Sequence, residues 1–94
     1  MPIRRLALDV DKVVDRPDLI TLARAIENVP GVGAVNITVT EIDVETIGTD
    51  ITVEGDDIDT EALFRAIEHV GAVLHSVDEV VAGDRIIERV LRVR

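Results

Sequence analysis

The chain has 94 residues and a formal net charge of −9 at neutral pH, and it contains no cysteine. This length fits one domain, near the lower end of what buries a useful core unaided. The missing cysteines exclude disulfides, thiolate metal sites and thiol nucleophiles. Because phosphate binding needs clustered lysine and arginine, the acidic balance argues against a nucleic-acid surface.

Apolar residues make up 47% of the chain, but Phe64 is its only aromatic residue, so the core must be aliphatic. No apolar run approaches the roughly 20 residues that span a bilayer, and residues 1–5 lead into a strand pattern without a signal-peptide region. We therefore expect a cytoplasmic protein. Aspartate is abundant, and Lys12 is the only lysine beside nine arginines. This composition indicates either a halophilic, salt-adapted source or a GC-rich genome.

The first predicted strand covers residues 5–10, where large apolar residues alternate with others. Apolar residues at helical spacing then predict a first helix. Asp15 can cap its N-terminus, and Pro17 suits its first turn. A glycine, either Gly31 or Gly33, ends it.

The second predicted strand begins with a clean alternation over residues 35–39. The alternation switches after Thr40, so that Ile42 and Val44 belong to the opposite set from Val39. Either a bulge or a strand end that protrudes beyond the sheet would produce this switch. We predict that Ile42 and Val44 contact another subunit.

A third strand is predicted around residues 51–53, and a second helix follows it. The sequence of this helix repeats that of the first, since Arg-Ala-Ile-Glu-His-Val at 65–70 matches Arg-Ala-Ile-Glu-Asn-Val at 24–29. Either Asp57 or Asp59 can cap it. The chain is therefore predicted to consist of two similar halves.

The fourth predicted strand, within residues 72–81, is rich in β-branched residues. Leu74 and Val80 fall on one parity and Val77 and Val81 on the other, which indicates that both faces are partly apolar. A single domain with helices on only one face of its sheet leaves the other face in water. We therefore predict that this strand contacts another subunit.

The element order β-α-β-β-α-β, combined with right-handed crossovers, predicts a ferredoxin-like α+β sandwich. In this fold a four-stranded antiparallel sheet carries two helices on one face, and strand 1 lies between strands 3 and 4. We assign residues 1–83 to this domain and residues 84–94 to a C-terminal arm.

The arm carries four arginines on an otherwise acidic protein, together with the large aliphatic residues Ile86, Ile87, Val90 and Leu91. The spacing of these aliphatic residues fits a helix, whereas the alternation of Leu91 and Val93 fits a strand. The arm either docks on a neighbouring subunit, for instance by adding a strand to an open edge, or frays or packs on its own sheet. Its aliphatic content favours docking. The predicted interface residues are Ile42, Val44, Val77, Val81, Ile86, Ile87, Val90 and Leu91.

In the antiparallel order, Asp9 and Asp11 of strand 1 are expected at the same end of the sheet as Asp43 and Glu45 of strand 2. Asp50 before strand 3 and His75 at the start of strand 4 are expected at that end too, so carboxylates there are candidate metal ligands. Carboxylate oxygens suit hard cations such as Ca²⁺ or Mg²⁺. The alternative is a solvated acidic surface, the usual outcome in an acidic protein. The candidate ligands are Asp9, Asp11, Asp43, Glu45 and Asp78.

Arg4 and Arg5 are expected to form a salt-bridge network at the opposite end of the sheet, with Glu54, Asp78 and Glu79. Each such exposed pair contributes little to stability.

No enzyme signature is recognised. His75, Ser76 and Asp78 are too close along one strand to form a catalytic triad, because neighbouring strand residues alternate between faces. His69 falls at the end of the second helix, where an imidazolium complements the helix dipole. We therefore expect a non-enzymatic protein.

The segment His-Ser-Val-Asp-Glu-Val-Val-Ala-Gly at 75–83 resembles family 211 of the domains of unknown function, a group of small, mostly archaeal proteins. The other matching segments are Leu8–Asp9, Gly33–Thr38, Glu41–Asp43 and Arg65–Glu68. The resemblance covers the chain up to Gly83, and the arm is not matched. It implies a ferredoxin-like fold, a tendency towards multi-subunit assemblies and no established biochemical activity.

Two functions follow as hypotheses. In the first, the chain is a self-assembling protein whose copies form a ring or an array. In the second, it is a regulatory module that binds a divalent cation or a small metabolite where subunits meet, by analogy with other ferredoxin-like domains.

Overall fold

A computed structural model describes residues 1–92. The elements are β1 (Ile3–Val13), α1 (Leu19–Glu27), β2 (Val32–Ile42), β3 (Thr46–Gly55), α2 (Thr60–His69) and β4 (Val73–Ala82). The strands form one sheet in the order β2-β3-β1-β4, and each neighbouring pair is antiparallel. This confirms the predicted ferredoxin-like α+β arrangement, including the position of β1 between β3 and β4.

The core lies between the helices and the two central strands. Alternate residues of β1 and β3 face the helices, and the repeated isoleucines Ile26 of α1 and Ile67 of α2 are both fully buried. The core is aliphatic, as the composition predicts, and Phe64 is only partly buried against it. Its largest members are Leu6, Leu8, Val10, Leu22, Ile26, Ile51, Val53, Leu63 and Ile67.

Aspartates cap both helices. The side chain of Asp18 accepts a hydrogen bond from the backbone N–H of Thr21, and that of Asp59 accepts one from Ala62. Of the two predicted caps of α2, Asp59 is therefore the right one. The predicted cap Asp15 of α1 is wrong, because helical backbone begins only at Leu19 and the residue with extended backbone just before it is Asp18.

A bulge in β2 confirms one explanation of its switched alternation. Val39 pairs with Thr49 and Glu41 pairs with Gly48, so Thr40 is an additional residue without a partner of its own on β3. The extra residue shifts every later side chain by one position relative to the pleat.

Two bulges in β4 change which of its residues share a face. Both faces are partly apolar, as predicted, because Val73 and Val81 pair with Asp11 and Arg5 on the face that points away from the helices. His75 and Asp78 are additional residues relative to β1. As a result Leu74, Val77 and Val80 pair with Val10, Leu8 and Leu6, and all three lie on the helix-bearing face. Paired residues of antiparallel strands share a face, so parity alone gives the wrong assignment once a strand contains bulges.

The described part of the arm, residues 84–92, forms neither helix nor strand. Val93, which carried the predicted strand alternation together with Leu91, lies outside the described residues. Among the described residues, no helix is both long enough and apolar enough to cross a membrane.

Candidate functional site

The sheet face that points away from the helices, called the open face below, is charged at both ends. At one end Arg5 of β1 pairs with Glu54 of β3, and at the other Asp9 pairs with Asp50. These residues are out of phase with the buried Leu6, Leu8 and Val10, which is why the alternation along β1 places them on this face. The open face therefore has one end with an arginine and one end that is purely acidic along the β1–β3 pair.

Arg5 joins the arm to the open face. Its Nε donates to Glu54 Oε2 at 2.8 Å, while Nη1 and Nη2 donate to the two oxygens of Glu88 at 2.7 and 3.0 Å. Glu79 Oε1 lies 3.7 Å from Nη1. The guanidinium fork thus holds one carboxylate of the arm bidentately and one of the sheet at its side.

The pKa values of this pair follow from the hydrogen bonds. The pKa of Arg5 is raised above its ordinary value, chiefly by the hydrogen bond with Glu88 and then by that with Glu54. The same bond with Arg5 lowers the pKa of Glu88. The Arg5–Glu88 contact therefore favours the charged form of both partners.

The expected salt-bridge network exists, although its membership differs from the prediction. Arg4 Nη1 lies 3.0 Å from Asp56, and Arg5 binds Glu54 and Glu88. No pattern in the sequence predicted that Glu88 would join this network, because an ion pair between β1 and an irregular arm depends on how the arm folds back. Asp78, a predicted member, accepts a hydrogen bond from Ser76 Oγ at 2.8 Å.

The arm leaves most of its apolar side chains in solvent. Ile87, Val90 and Leu91 are 64%, 68% and 76% exposed, and Ile86 is 37% exposed. Val81 of β4, predicted as an interface residue, is buried within the chain itself. It shares a cavity of about 690 Å³ with residues of the arm, and the residues lining that cavity are Ala7, Asp78, Glu79, Val80, Val81, Ala82, Ile87, Glu88 and Arg89.

A second apolar area surrounds the hairpin between β2 and β3. Ile42 is 76% exposed and Val44 is 90% exposed. The backbone N–H of Val14 donates to the carbonyl of Glu45 at 3.1 Å, which brings the partly exposed Val13 and Val14 next to this turn. These four valine and isoleucine residues are called the hairpin-tip patch below. The bulge at Thr40 lies just before them.

Only two of the predicted metal ligands share a site. Asp9 and Asp11 line a cavity of about 330 Å³ on the open face, called the acidic groove below, together with Glu41 and His75. His75 was expected at this end of the sheet, whereas Glu41 escaped prediction because the bulge at Thr40 determines where it lies. Thr40 and Gly48 complete the lining.

The remaining predicted ligands lie elsewhere. Asp43 closes the hairpin turn, since its carboxylate accepts a hydrogen bond from the N–H of Val44 and its own N–H donates to Thr46. Glu45 follows in the same turn, and Asp78 is hydrogen-bonded to Ser76. Within residues 1–92, no three histidine, aspartate or glutamate side chains converge closely enough to hold a metal ion.

The bulges in β4 place His75, Ser76 and Asp78 in a way that still forms no catalytic triad. Ser76 and Asp78 are hydrogen-bonded to each other, while His75 lines the acidic groove beside Asp9 and Asp11. The histidine is therefore placed with a different set of carboxylates from the one that the serine contacts.

A buried lysine is the residue that sequence reasoning missed most completely. Lys12 is only 5% exposed, and its ammonium group donates to the carbonyls of Val13 and Val14 at 3.1 and 3.3 Å. Its position in the apolar alternation of β1 was the available signal, because residues 6, 8, 10 and 12 share one face. The lysine ties the end of β1 to the start of the following loop.

Comparison with known proteins supports and extends the family resemblance. The profile of the DUF211 family, described as uncharacterised ArCR, matches residues 4–94, so the match includes the arm. An uncharacterised protein of Methanocaldococcus jannaschii, MJ0319, is 42% identical over 88 residues, which cover 94% of this chain and 90% of that protein. The match along almost the full length of both chains shows that this protein belongs to the DUF211 family.

Proposed function

We propose that this protein is a non-enzymatic, self-assembling protein whose copies associate through the hairpin-tip patch and the arm. The observation that supports this most directly is the exposure of large aliphatic side chains in these two areas. Ile42, Val44 and Leu91 are each at least three-quarters exposed in the single chain. Contiguous exposed apolar groups of this kind mark interaction surfaces, because covering them removes apolar area from water.

Bulges at the sheet edges favour side-chain contact over simple strand addition. Both β2 and β4 are edge strands, and each contains residues that fall out of register with its neighbour. Bulges twist an edge and disrupt the row of free N–H and C=O groups that a second sheet would need. The copies therefore associate through the hairpin tip and the arm, which project their side chains beyond the paired strands.

Charge opposes this association and makes it depend on salt. With a net charge of −9 per chain, copies repel one another, and added salt screens the repulsion. Assembly held by apolar contacts is thus expected to become stronger as ionic strength rises.

Size-exclusion chromatography with light scattering tests the proposal. The protein should elute as a multiple of the 10.3 kDa chain at micromolar concentration, and the multiple should persist or grow in high salt. The double variant Ile42→Asp with Val44→Asp should lower the mass. Ile20→Asp provides a matched control, because Ile20 is a similarly exposed aliphatic residue on α1, outside both areas. A monomeric protein at high salt contradicts the proposal.

Cation binding where subunits meet is the second candidate, and the acidic groove is the observation that favours it. Asp9, Asp11 and Glu41 line one small cavity, so their carboxylates repel one another unless positive charge enters. A Ca²⁺ or Mg²⁺ ion needs about six oxygen ligands, which a second copy and water would have to complete.

A thermal melt in Ca²⁺ or Mg²⁺ against chelator at matched ionic strength tests this candidate. A bound ion raises the midpoint through linkage, and Asp9→Asn with Asp11→Asn removes the rise. Asp56→Asn with Asp57→Asn removes the same charge elsewhere and should leave the rise intact. An unchanged midpoint in the unmodified protein contradicts cation binding.

A further inference from the structure

The arm has a defined docking position on the open face, called the arm seat below, which consists of Arg5, Ala7, Glu54 and Val81. Glu88 supplies both carboxylate oxygens to Arg5, whose side chain is only 15% exposed. Val81 is buried in the cavity where the arm lies against β4. The seat therefore recognises the arm by one bidentate ion pair and by apolar cover.

The seat leaves the apolar half of the arm unused. Ile87 faces the cavity of the seat yet remains 64% exposed, and Val90 and Leu91 are exposed still further. A single chain satisfies the charge of Glu88 without hiding these aliphatic groups. When the arm reaches across to a second copy, these aliphatic groups lie between two chains, where both surfaces can cover them.

The connection between β4 and the arm is long enough for the arm to reach the seat of a second copy. Its base is fixed, since the Gly83 N–H donates to Pro2 and the Gly83 carbonyl accepts from Arg4 Nε. Gly83 itself has a positive φ of 122°, a conformation that only glycine adopts freely. From Gly83 to Glu88 an extended chain reaches up to about 17 Å. The arm leaves from edge strand β4, and β1 with Arg5 is the next strand, so the seat of a copy beside β4 lies within this reach.

We propose that, in the assembly, the arm of each copy occupies the arm seat of a neighbouring copy. This exchange rests on the proposed self-assembly and specifies its partner surface. It keeps the Arg5–Glu88 ion pair, because the seat is the same on every copy, and it places the aliphatic side chains of the arm in an interface. Exchange of an identical element between copies is a low-cost route to a closed or open assembly.

Thiol crosslinking tests which chain supplies the arm. The chain has no cysteine among residues 1–94, so introduced thiols react alone. Ala7→Cys on the seat and Ile87→Cys on the arm line the same cavity. The two single variants are unfolded together, refolded and treated with a short bis-maleimide. Glu79→Cys with Ile87→Cys is a second pair in that cavity, because Glu79 pairs with Ala7 on the open face, and it is used if Ala7→Cys does not refold.

Exchange predicts a shift of the mixed sample to a covalent dimer on a denaturing gel. The control mixture pairs Glu68→Cys, on the exposed surface of α2, with Ile87→Cys and should remain monomeric. The double variant Ala7→Cys with Ile87→Cys in one chain should give products larger than a monomer. Only an intrachain crosslink, or no product beyond the control, overturns the exchange.

Light scattering of the unmodified protein separates the two proposals. An oligomer whose crosslinks stay within one chain retains the proposed function and overturns the arm exchange. A monomer overturns both.

Discussion

Substitution of Gly31 by alanine probes how the two similar halves of the fold interlock. Gly71 directly follows Val70, the C-cap of α2, whereas Gly31 lies three residues after Asn28, the C-cap of α1, so α1 does not end on the predicted glycine. Both glycines have a positive φ, 88° at Gly31 and 98° at Gly71. Their surroundings differ. A Cβ on Gly71 would have no neighbour within 4 Å, whereas a Cβ on Gly31 would lie 1.9 Å from the carbonyl oxygen of Asp57. The first half is thus packed against the β3–α2 loop, and the second half has no such contact.

The expected cost of each variant follows from this difference. In Gly71→Ala, alanine has only to adopt left-handed backbone, which costs about 1–2 kcal/mol of unfolding free energy. In Gly31→Ala the gap to the Asp57 carbonyl must also open by about 1.5 Å to reach ordinary van der Waals contact. That movement disrupts the hydrogen bonds that join this turn to the β3–α2 loop, Asp56 N–H to Gly31 and Asp59 N–H to Pro30. At about 1 kcal/mol each, these losses bring the total to about 4 kcal/mol.

Urea unfolding followed by circular dichroism measures both variants at one protein concentration, because an oligomer's stability depends on concentration. The difference of about 2 kcal/mol corresponds to a gap in Tm of roughly 8–16 °C for a domain of this size. A Gly31→Ala protein that does not fold at all agrees with the expectation. Equal destabilisation by the two variants would refute the reasoning that backbone packing, rather than φ alone, requires Gly31.

Three further predictions concern a buried hydroxyl, a helix cap and the arm. Thr49→Val removes the 2.8 Å hydrogen bond from Thr49 Oγ1 to the carbonyl of Val10, and urea unfolding should show a loss of about 1 kcal/mol with an unchanged m value. The pKa of the Asp18 carboxyl is lowered, chiefly by the hydrogen bond from the Thr21 backbone N–H. The ionised cap therefore contributes its full share of the unfolding free energy above 3.8, the pKa in the unfolded chain, and this share is lost as pH falls through the lower pKa of the folded state. Asp18→Asn should therefore flatten the acid limb of stability against pH, and an unaltered limb contradicts this. The lowered pKa of Glu88 predicts that the arm is released as pH falls below 4.5, which backbone amide shifts of residues 84–92 would report, and Glu88→Gln should show released-arm shifts at neutral pH.

The local patterns determined the elements and most of the core of this protein. Period-two alternation in β1 and helical spacing around Ile26 and Ile67 follow from backbone geometry, so each segment carries its own signal. The repeat in α1 and α2, combined with the handedness of crossovers, then leaves a ferredoxin-like sandwich as the natural arrangement. The family resemblance was readable for the same reason, because its motif is contiguous in the chain.

Tertiary structure alone decided which side chains meet. The bulges at His75 and Asp78 place Val77 on the same face as Leu74 and Val80, where parity assigns it to the other, and bulge positions depend on pairing with β1 rather than on β4 itself. The acidic groove and the Arg5–Glu88 pair each join residues that are distant in the chain, so no local pattern encodes them. Lys12 shows the division within one residue: its parity on β1 places it inward, whereas the burial of its side chain depends on the elements packed around it.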